Sequence, residues 1–329
     1  MWRVVQMEAT KEAVRGVAPP GQREVRQQHA KRPPFWRKAG RIVWRILRAG
    51  LIIGICYVIL MPLMTKISSS FMEVRDMFDV TVRWIPRHFT LENYKVVWEA
   101  MKYPTAFWNS LKLSLIVAVL QTFSSALVGY GFARFKFKGS NLLFALVLVT
   151  LLVPSQTILV PLYLNFRYFN LFGLIPGQGL NLLNSYWPFI LIAMTGAGMR
   201  GGLFIYVMRQ YFRNVPKELE DAAYVDGASP LRTFFTVMLP GAVPSMVTIF
   251  LLSFVFQWND STLTSVFMGN EVLLPWTLRT LADTLGARAE YASLVNNTGM
   301  LLFMAPLLIL YFVMQKHFVE GVERTGIVG

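Results

Sequence analysis

Cysteine is almost absent from this chain. Cys56 stands alone inside an apolar run, so no intrachain disulfide can form. Histidine is nearly as scarce: His29, His88 and His317 lie far apart and outside the apolar runs, which excludes an HExxH metal site and leaves no nucleophile and base pair. No G-x-x-x-x-G-K-[ST] run is present, so the chain cannot cradle a nucleotide phosphate by that route, and any ATP chemistry must come from another subunit. Acidic residues are in the minority, 18 against 32 Lys and Arg, and the apolar runs contain Arg200 without an acidic partner. A secondary transporter, which uses paired ionisable groups at discontinuous helices, is therefore the weaker reading. An embedded enzyme fails for want of a catalytic cluster.

Apolar sequence is what the chain has in abundance. Hydrophobic residues make up 54%, charged residues 15%, and mean hydropathy is +0.45. Six runs are candidate transmembrane helices, at 49–65, 111–132, 142–163, 185–207, 242–258 and 295–315. The first is near the minimum length, and Arg48 and Lys66 flank it where they can snorkel. Residues 1–48 hold twelve of the 32 Lys and Arg residues against only Glu8, Glu12 and Glu24. It shows no folded module that would present base-reading or stacking groups, so the tail is expected to be disordered, cytoplasmic and able to touch anionic lipid. It is too long for the n-region of a cleaved signal peptide, although Ser68, Ser69 and Ser70 mimic a cleavage site.

With the tail inside, Arg134, Lys136 and Lys138 fall inside, as do Arg209, Arg213 and Lys217, while 165–184 falls outside. The connection 67–108 is the exception, since Arg75, Arg83, Arg87, Lys95 and Lys102 would lie outside beside Glu73, Asp76, Asp79, Glu92 and Glu99. The expected fold is all-α, a polytopic membrane protein with six transmembrane helices and both termini cytoplasmic. Its parts are a tail at 1–48, a first helix and extracytoplasmic segment at 49–106, a transmembrane core at 107–315 and a C-terminal cytoplasmic tail at 316–329.

Several helix breakers lie within the runs. Pro154 and Pro161 bracket Gln156, Gly196, Gly198, Gly201 and Gly202 interrupt the fourth run, and Pro306 lies in the sixth. Interrupted helices suit a translocation route, whereas close helix packing explains the same residues equally well. Arg200, inside the fourth run, would cost roughly 2.5 to 3.5 kcal/mol at the bilayer centre and needs compensation. Snorkelling to the cytoplasmic side is the preferred account, a gating or ion-pair role the sharper one.

Between the fourth and fifth runs lies an amphipathic, turn-broken stretch, 219–240. Val215-Pro216 can open a helix, Asp226-Gly227 offers a left-handed stop, and Ser229-Pro230 supplies an N-cap with a first-turn proline. Two short helices at an angle are predicted. The second would put Leu231, Phe234, Phe235 and Met238 near one face, too short to cross a bilayer and in need of a partner.

The run ELEDAAYVDGASPLRTFFTVMLP resembles the "EAA" loop of permease subunits of bacterial ATP-binding-cassette importers: Glu-Ala-Ala, a glycine four residues on and a later Leu-Pro. Asp221, Ala222, Ala223, Gly227, Leu239 and Pro240 occupy those positions, with Asp221 for the usual Glu and Glu220 just before it. The resemblance covers 107 to the C-terminus. Within it LLVPSQTILVPLY, FVFQWND and QKHFVEGVERTGIVG look like the carbohydrate-importing branch, close in type to maltose-type second permeases. It implies the type I ABC importer transmembrane fold in the bacterial cytoplasmic membrane, with a coupling loop at 216–240. It also implies four kinds of partner: a second homologous permease, an ABC ATPase dimer carrying ATP and magnesium, an extracytoplasmic solute-binding protein and membrane lipids. No cofactor belongs to this chain. Leu231, Phe234 and Phe235 would bury apolar surface on an ATPase, residues 325–329 would be a secondary contact, and 268–293 would touch the binding protein.

Sugars present hydroxyls and flat apolar faces, so aromatics beside amides and carboxylates are the expected chemistry. Gln257, Trp258, Asn259 and Asp260 form such a cluster, with Asn296, Asn297 and Gln156 as possible neighbours. An interfacial aromatic belt explains the same cluster and is slightly preferred. In maltose-type relatives the sugar is held mainly by the other permease, so the resemblance implies that this chain contributes lining alone. The alternative within the same family is a permease for a non-sugar solute.

Overall fold

A computed structural model gives the fold and describes residues 35–326 except 176, 178, 270, 287 and 288. Most of the tail, together with residues 327–329 of the expected C-terminal contact, lies outside the described residues. The chain divides into two compact units, Met1–Leu63 and Met64–Gly329. The described residues form helices and two isolated bridges, Met72 with Phe89 and Phe169 with Leu180.

The first helix, α1, runs Phe35–Ser70, and its apolar stretch Val43–Ser70 is long enough to cross a membrane. It begins well before residue 49. The sequence after Pro33 and Pro34 contains no proline until Pro62, so the end of the tail, expected to be disordered, continues the helix. Side chains from Val43 to Leu60 are exposed, as a lipid- or partner-facing helix requires.

In the larger unit, Ser68, Ser69 and Ser70 are buried, and Lys66 Nζ donates to Asn297 Oδ1 at 3.0 Å. The connection that follows folds on Asp76, whose carboxylate accepts the His88 backbone N–H at 2.9 Å and pairs with His88 Nδ1 at 2.5 Å. Burial raises the Asp76 pKa, but the His88 bonds outweigh it and hold the carboxyl below its usual range. Helix α2, Glu92–Ala100, leads into α3, Tyr103–Arg134, the second long apolar helix. The buried side of α3 is made largely of small residues, Ala106, Ser110, Ser114, Ala118, Ser125 and Gly129, which let neighbouring helices approach. A Cβ on Gly129 would sit 2.6 Å from Met208 Cβ, so only glycine permits that crossing.

The third run is not one helix. It splits into α4, Ser140–Val149, and α5, Ser155–Arg167, with Pro154 extended between them at ψ 132°. Proline removes a donor and bars its predecessor from helical geometry. The fourth run also splits, into α6, Trp187–Met194, and α7, Gly201–Asn214. Gly196 at φ 72° and Arg200 at φ 61° turn the chain between them. Beyond α7 come α8, Glu218–Val225, α9, Pro230–Thr233, and α10, Val243–Asn259. The segment Pro230–Gly241 meets α10 at 79°. Three short helices follow, α11 (Thr262–Phe267), α12 (Leu274–Arg279) and α13 (Leu281–Thr284), and then α14, Ala289–Gly326, whose apolar part is Tyr291–Lys316.

Three apolar clusters hold the larger unit. Val97, Phe254, Trp258, Leu274 and Phe303 join α2, α10, α12 and α14. Leu113, Phe166, Phe189 and Phe267 join α3, α5, α6 and α11. Tyr130, Phe204, Met208, Phe212, Phe234 and Met238 form the third, beneath α8 and α9.

Candidate functional site

The stretch from α8 to the start of α10 is shaped by its own sequence. Helix α8 begins at Glu218 rather than at Pro216, because Val215 before the proline is extended at ψ 131° and its carbonyl is taken by Arg134 Nη2 at 2.6 Å. The helix ends in a Schellman closure: Gly227 N–H donates to Tyr224 O at 3.0 Å and Ala228 N–H to Ala223 O at 2.9 Å, with Gly227 at φ 78°. This gives the Ala-Ala to glycine spacing a physical cause. Ala223 supplies the carbonyl that accepts the Ala228 N–H, and the glycine must stand four residues on to take the left-handed conformation. Ser229 then caps α9, its hydroxyl accepting the Arg232 N–H at 3.3 Å, and Pro230 fills the first turn.

Residues 234–238 widen into a π turn before Leu239 and Pro240. A proline ring crowds the carbonyl four residues back, here Thr236, and the wider turn relieves that contact. The expected single apolar face is corrected by this geometry. Phe234 and Met238 are buried against Tyr130 and Phe212 inside the chain, with Phe234 5.0 Å from the Tyr130 ring. Leu231 (64% exposed), Phe235 (53%) and Val225 (87%) remain outside, next to the exposed Leu219, Asp221 and Ala222. Leu239 is half-buried and Pro240 exposed.

The two adjacent acids part company. Asp221 is exposed and makes no ion pair among the described residues. Glu220 is turned inward: Oε2 lies 3.0 Å from Arg134 Nε, both side chains 7% exposed, and Oε1 accepts the Tyr130 hydroxyl at 2.8 Å. Sequence reading did not foresee this pair. Arg134 read only as a charge fixing orientation, and the surplus of acid at Glu218, Glu220 and Asp221 was the one available hint.

The substrate candidates scatter. Trp258 is 0% exposed, packs on Phe254 and Phe303, and donates Nε1–H to Phe303 O at 3.2 Å. It is part of the apolar core rather than an open platform. Asp260 is buried as a helix cap, accepting the amides of Thr262, Leu263 and Thr264 at 3.2, 3.2 and 3.0 Å. Burial pushes its carboxyl above the usual range, and those amides only partly offset it. Asn259 is exposed and donates to Val255 O at 2.7 Å. Asn297 bridges Lys66 and Ser69, Asn296 is half-buried, and Gln156 is exposed just after the Pro154 break. Gln257 is buried, and its Nε2 has no partner.

A second orphaned amide lies at the break between α6 and α7. Gln121 of α3 is buried with its Oε1 unpaired, and a Cβ on Gly198 would stand 1.9 Å from it. Arg200 is not within a helix, as its run implied, but precedes α7, exposed, with its guanidinium 5.8 Å from the Phe256 ring centroid. No carboxylate pairs with it among the described residues. An apolar groove of about 610 Å³, lined by Trp98, Phe107, Trp108, Phe254 and Pro306 among others, offers little to sugar hydroxyls.

The family model described as "Binding-protein-dependent transport system inner membrane component" matches residues 125–324, which include the whole α8–α9 segment. The chain is 33% identical over 297 residues to the probable ABC transporter permease protein YurM of Bacillus subtilis, covering 89% of this chain and 90% of that protein. It is 31% identical over 299 residues to the arabinooligosaccharides transport system permease protein AraQ of Halalkalibacterium halodurans, with coverage of 89% and 99%. The solved structure of a bacterial ABC transporter involved in the import of the acidic polysaccharide alginate shares the fold. Its TM-score is 0.70 at 22% identity, over 87% of this chain and 99% of that one.

Proposed function

We propose that this chain, which belongs to the family of inner membrane components of binding-protein-dependent transport systems, is the permease of an ATP-driven importer for a sugar or oligosaccharide. In this reading six crossings place both termini and the α8–α9 segment in the cytoplasm, with α4–α5 and α6–α7 each counted as one broken crossing. The positive-inside rule supports this, since Arg134, Lys136, Lys138, Arg209, Arg213 and Lys217 then share the cytoplasmic side with the tail. Partners are a second homologous permease, an ATPase dimer that binds ATP and magnesium, and an extracytoplasmic solute-binding protein.

The observation that carries the reading is the divided segment. One side is built into the chain through Phe234, Met238 and Glu220, while the other leaves Leu231, Phe235 and Val225 bare beside Asp221. Such a patch on an otherwise anchored segment fits the cleft of an ATPase subunit. Closure of the two ATPases would move the segments together and switch the pathway between inward and outward access. The sugar class rests on the similarity to AraQ, and a non-sugar solute is the second reading.

The test is Gly227→Asp. Nothing lies within 4 Å of a Cβ there, so packing is undisturbed, but φ 78° strains the Schellman closure and re-aims α9. The variant is expected to insert and fold yet to lose ATP-coupled uptake in reconstituted vesicles. Wild-type uptake would sink the assignment.

A further inference from the structure

A docking surface does not require a buried ion pair behind it. We propose that Glu220, Arg134 and Tyr130 lock the joint between α7 and α8 onto α3, so that the docked segment, α3 and α7 move as one body and carry displacement to the α6–α7 break. This rests on the reading that an ATPase drives the segment.

Covalently, α7 reaches α8 only through Val215, Pro216 and Lys217, a joint opened by the extended Val215 at which the segment could swing without moving the helices. Arg134 closes that freedom from both sides. Its Nη2 donates to Val215 O at 2.6 Å, and its Nε lies 3.0 Å from Glu220 Oε2 in a charge contact that lacks hydrogen-bond alignment, so one guanidinium sits against both the joint and the first turn of α8. Tyr130, one turn earlier on α3, takes the other Glu220 oxygen at 2.8 Å, and its ring packs edge-on against Phe212 of α7 at 5.4 Å. The cluster thus ties α3, α7 and α8 at a single point. Cohesion alone would be served as well by apolar side chains, since a buried ion pair adds little net stability over them. What the pair supplies is fixed relative geometry.

Beyond the lock the route stays stiff. From Arg134 to Gln121, α3 is an unbroken helix without proline, about 20 Å at 1.5 Å per residue. Along it, Gly129 brings α3 so close to α7 at Met208 and Arg209 that no Cβ fits, and farther on the Gln121 side-chain amide lies against Gly198, 1.9 Å from where a Cβ would stand, and near Gly201. A shift of α3 and α7 must therefore be felt at the break, where Gly196 and Arg200 hold left-handed conformations.

The test uses the full chain, with Cys56→Ala, assembled with its partner permease and ATPase. Thr195→Cys, exposed in the break, is the reporter, and its maleimide labelling rate is compared with and without ATP. ATPase copurification and thermal midpoint are measured alongside. Removing both charges with E220Q/R134M leaves no lone buried charge, so the double variant is expected to fold and bind the ATPase. The ATP-dependent change in labelling is expected to fall roughly tenfold in it and about twofold in Tyr130→Phe. An ATP response equal to wild type in an assembled double variant overturns the lock and leaves the importer reading intact. If the double variant does not assemble, Tyr130→Phe decides by the same readout: a wild-type response overturns the lock. A wild-type chain that neither binds an ATPase nor responds to ATP overturns the importer reading, and the lock with it.

Discussion

Two regions of this chain carry an acid beside aromatic residues, and they behave in opposite ways. At 257–260 the polar groups close on their own chain: Trp258 disappears into a core cluster and Asp260 caps the next helix. At 218–241 the closing is only half done. Glu220 and Phe234 face inward, while Asp221 and Leu231 face out and Phe235 stays about half exposed, touching the Phe234 ring edge-on. A residue type that reads as functional is thus structural wherever the fold has a hydrogen-bond donor or a ring waiting for it. The functional candidates are those left over.

The largest expected effect tests the closed region. Trp258→Ala removes the largest fully buried side chain and should cost about 3–5 kcal/mol of stability. A raised KM for uptake with an unchanged thermal midpoint would instead restore Trp258 as a substrate platform. The open region should answer in reverse. Phe235→Ala is expected to leave the thermal midpoint of the purified chain nearly unchanged, while weakening ATPase binding by about 2 kcal/mol in a copurification titration. Loss of fold stability of that size would mean that Phe235 belongs with Phe234.

Smaller effects sharpen the division. Asp260→Ala deprives three first-turn amides of their acceptor and should destabilise by about 1–2 kcal/mol, without altering KM beyond what misfolding explains. Asp76 offers a third comparison, since its pairing also closes within the chain. Its folded pKa lies below the unfolded value, so its contribution is fully present above about pH 4 and is lost as pH falls through the folded value. Limited proteolysis of 71–91 should show that acid loosening in wild type. In Asp76→Asn the segment should already be looser at neutral pH and show less of a pH step.

Much of the segment was legible because its rules are local. A Schellman closure needs a glycine at one position, an N-cap needs a hydroxyl before a proline, and both signals stand within a few residues of the groups they satisfy. The apolar runs were legible for a similar reason, being defined by composition alone. Their continuity was not. Pro154 and Gly196 were visible as breakers, yet whether a membrane-depth helix bends around a breaker or ends at it depends on whether neighbours satisfy the freed backbone groups.

Sequence by itself determined that the chain is an all-helical membrane protein with a capped, turn-broken segment and no G-x-x-x-x-G-K-[ST] run. Composition, hydropathy period and turn chemistry act over a few residues and leave the same mark in any tertiary setting. Only the tertiary structure decided which of two neighbouring acids is anchored and which is free, and which of two neighbouring phenylalanines is core. Arg134 and Glu220 are separated in sequence by the whole of α4 to α7, and only the packing of α3 against α7 brings them within 3.0 Å. No local rule reaches across that distance, because the partner that settles each side chain's role is supplied by another helix.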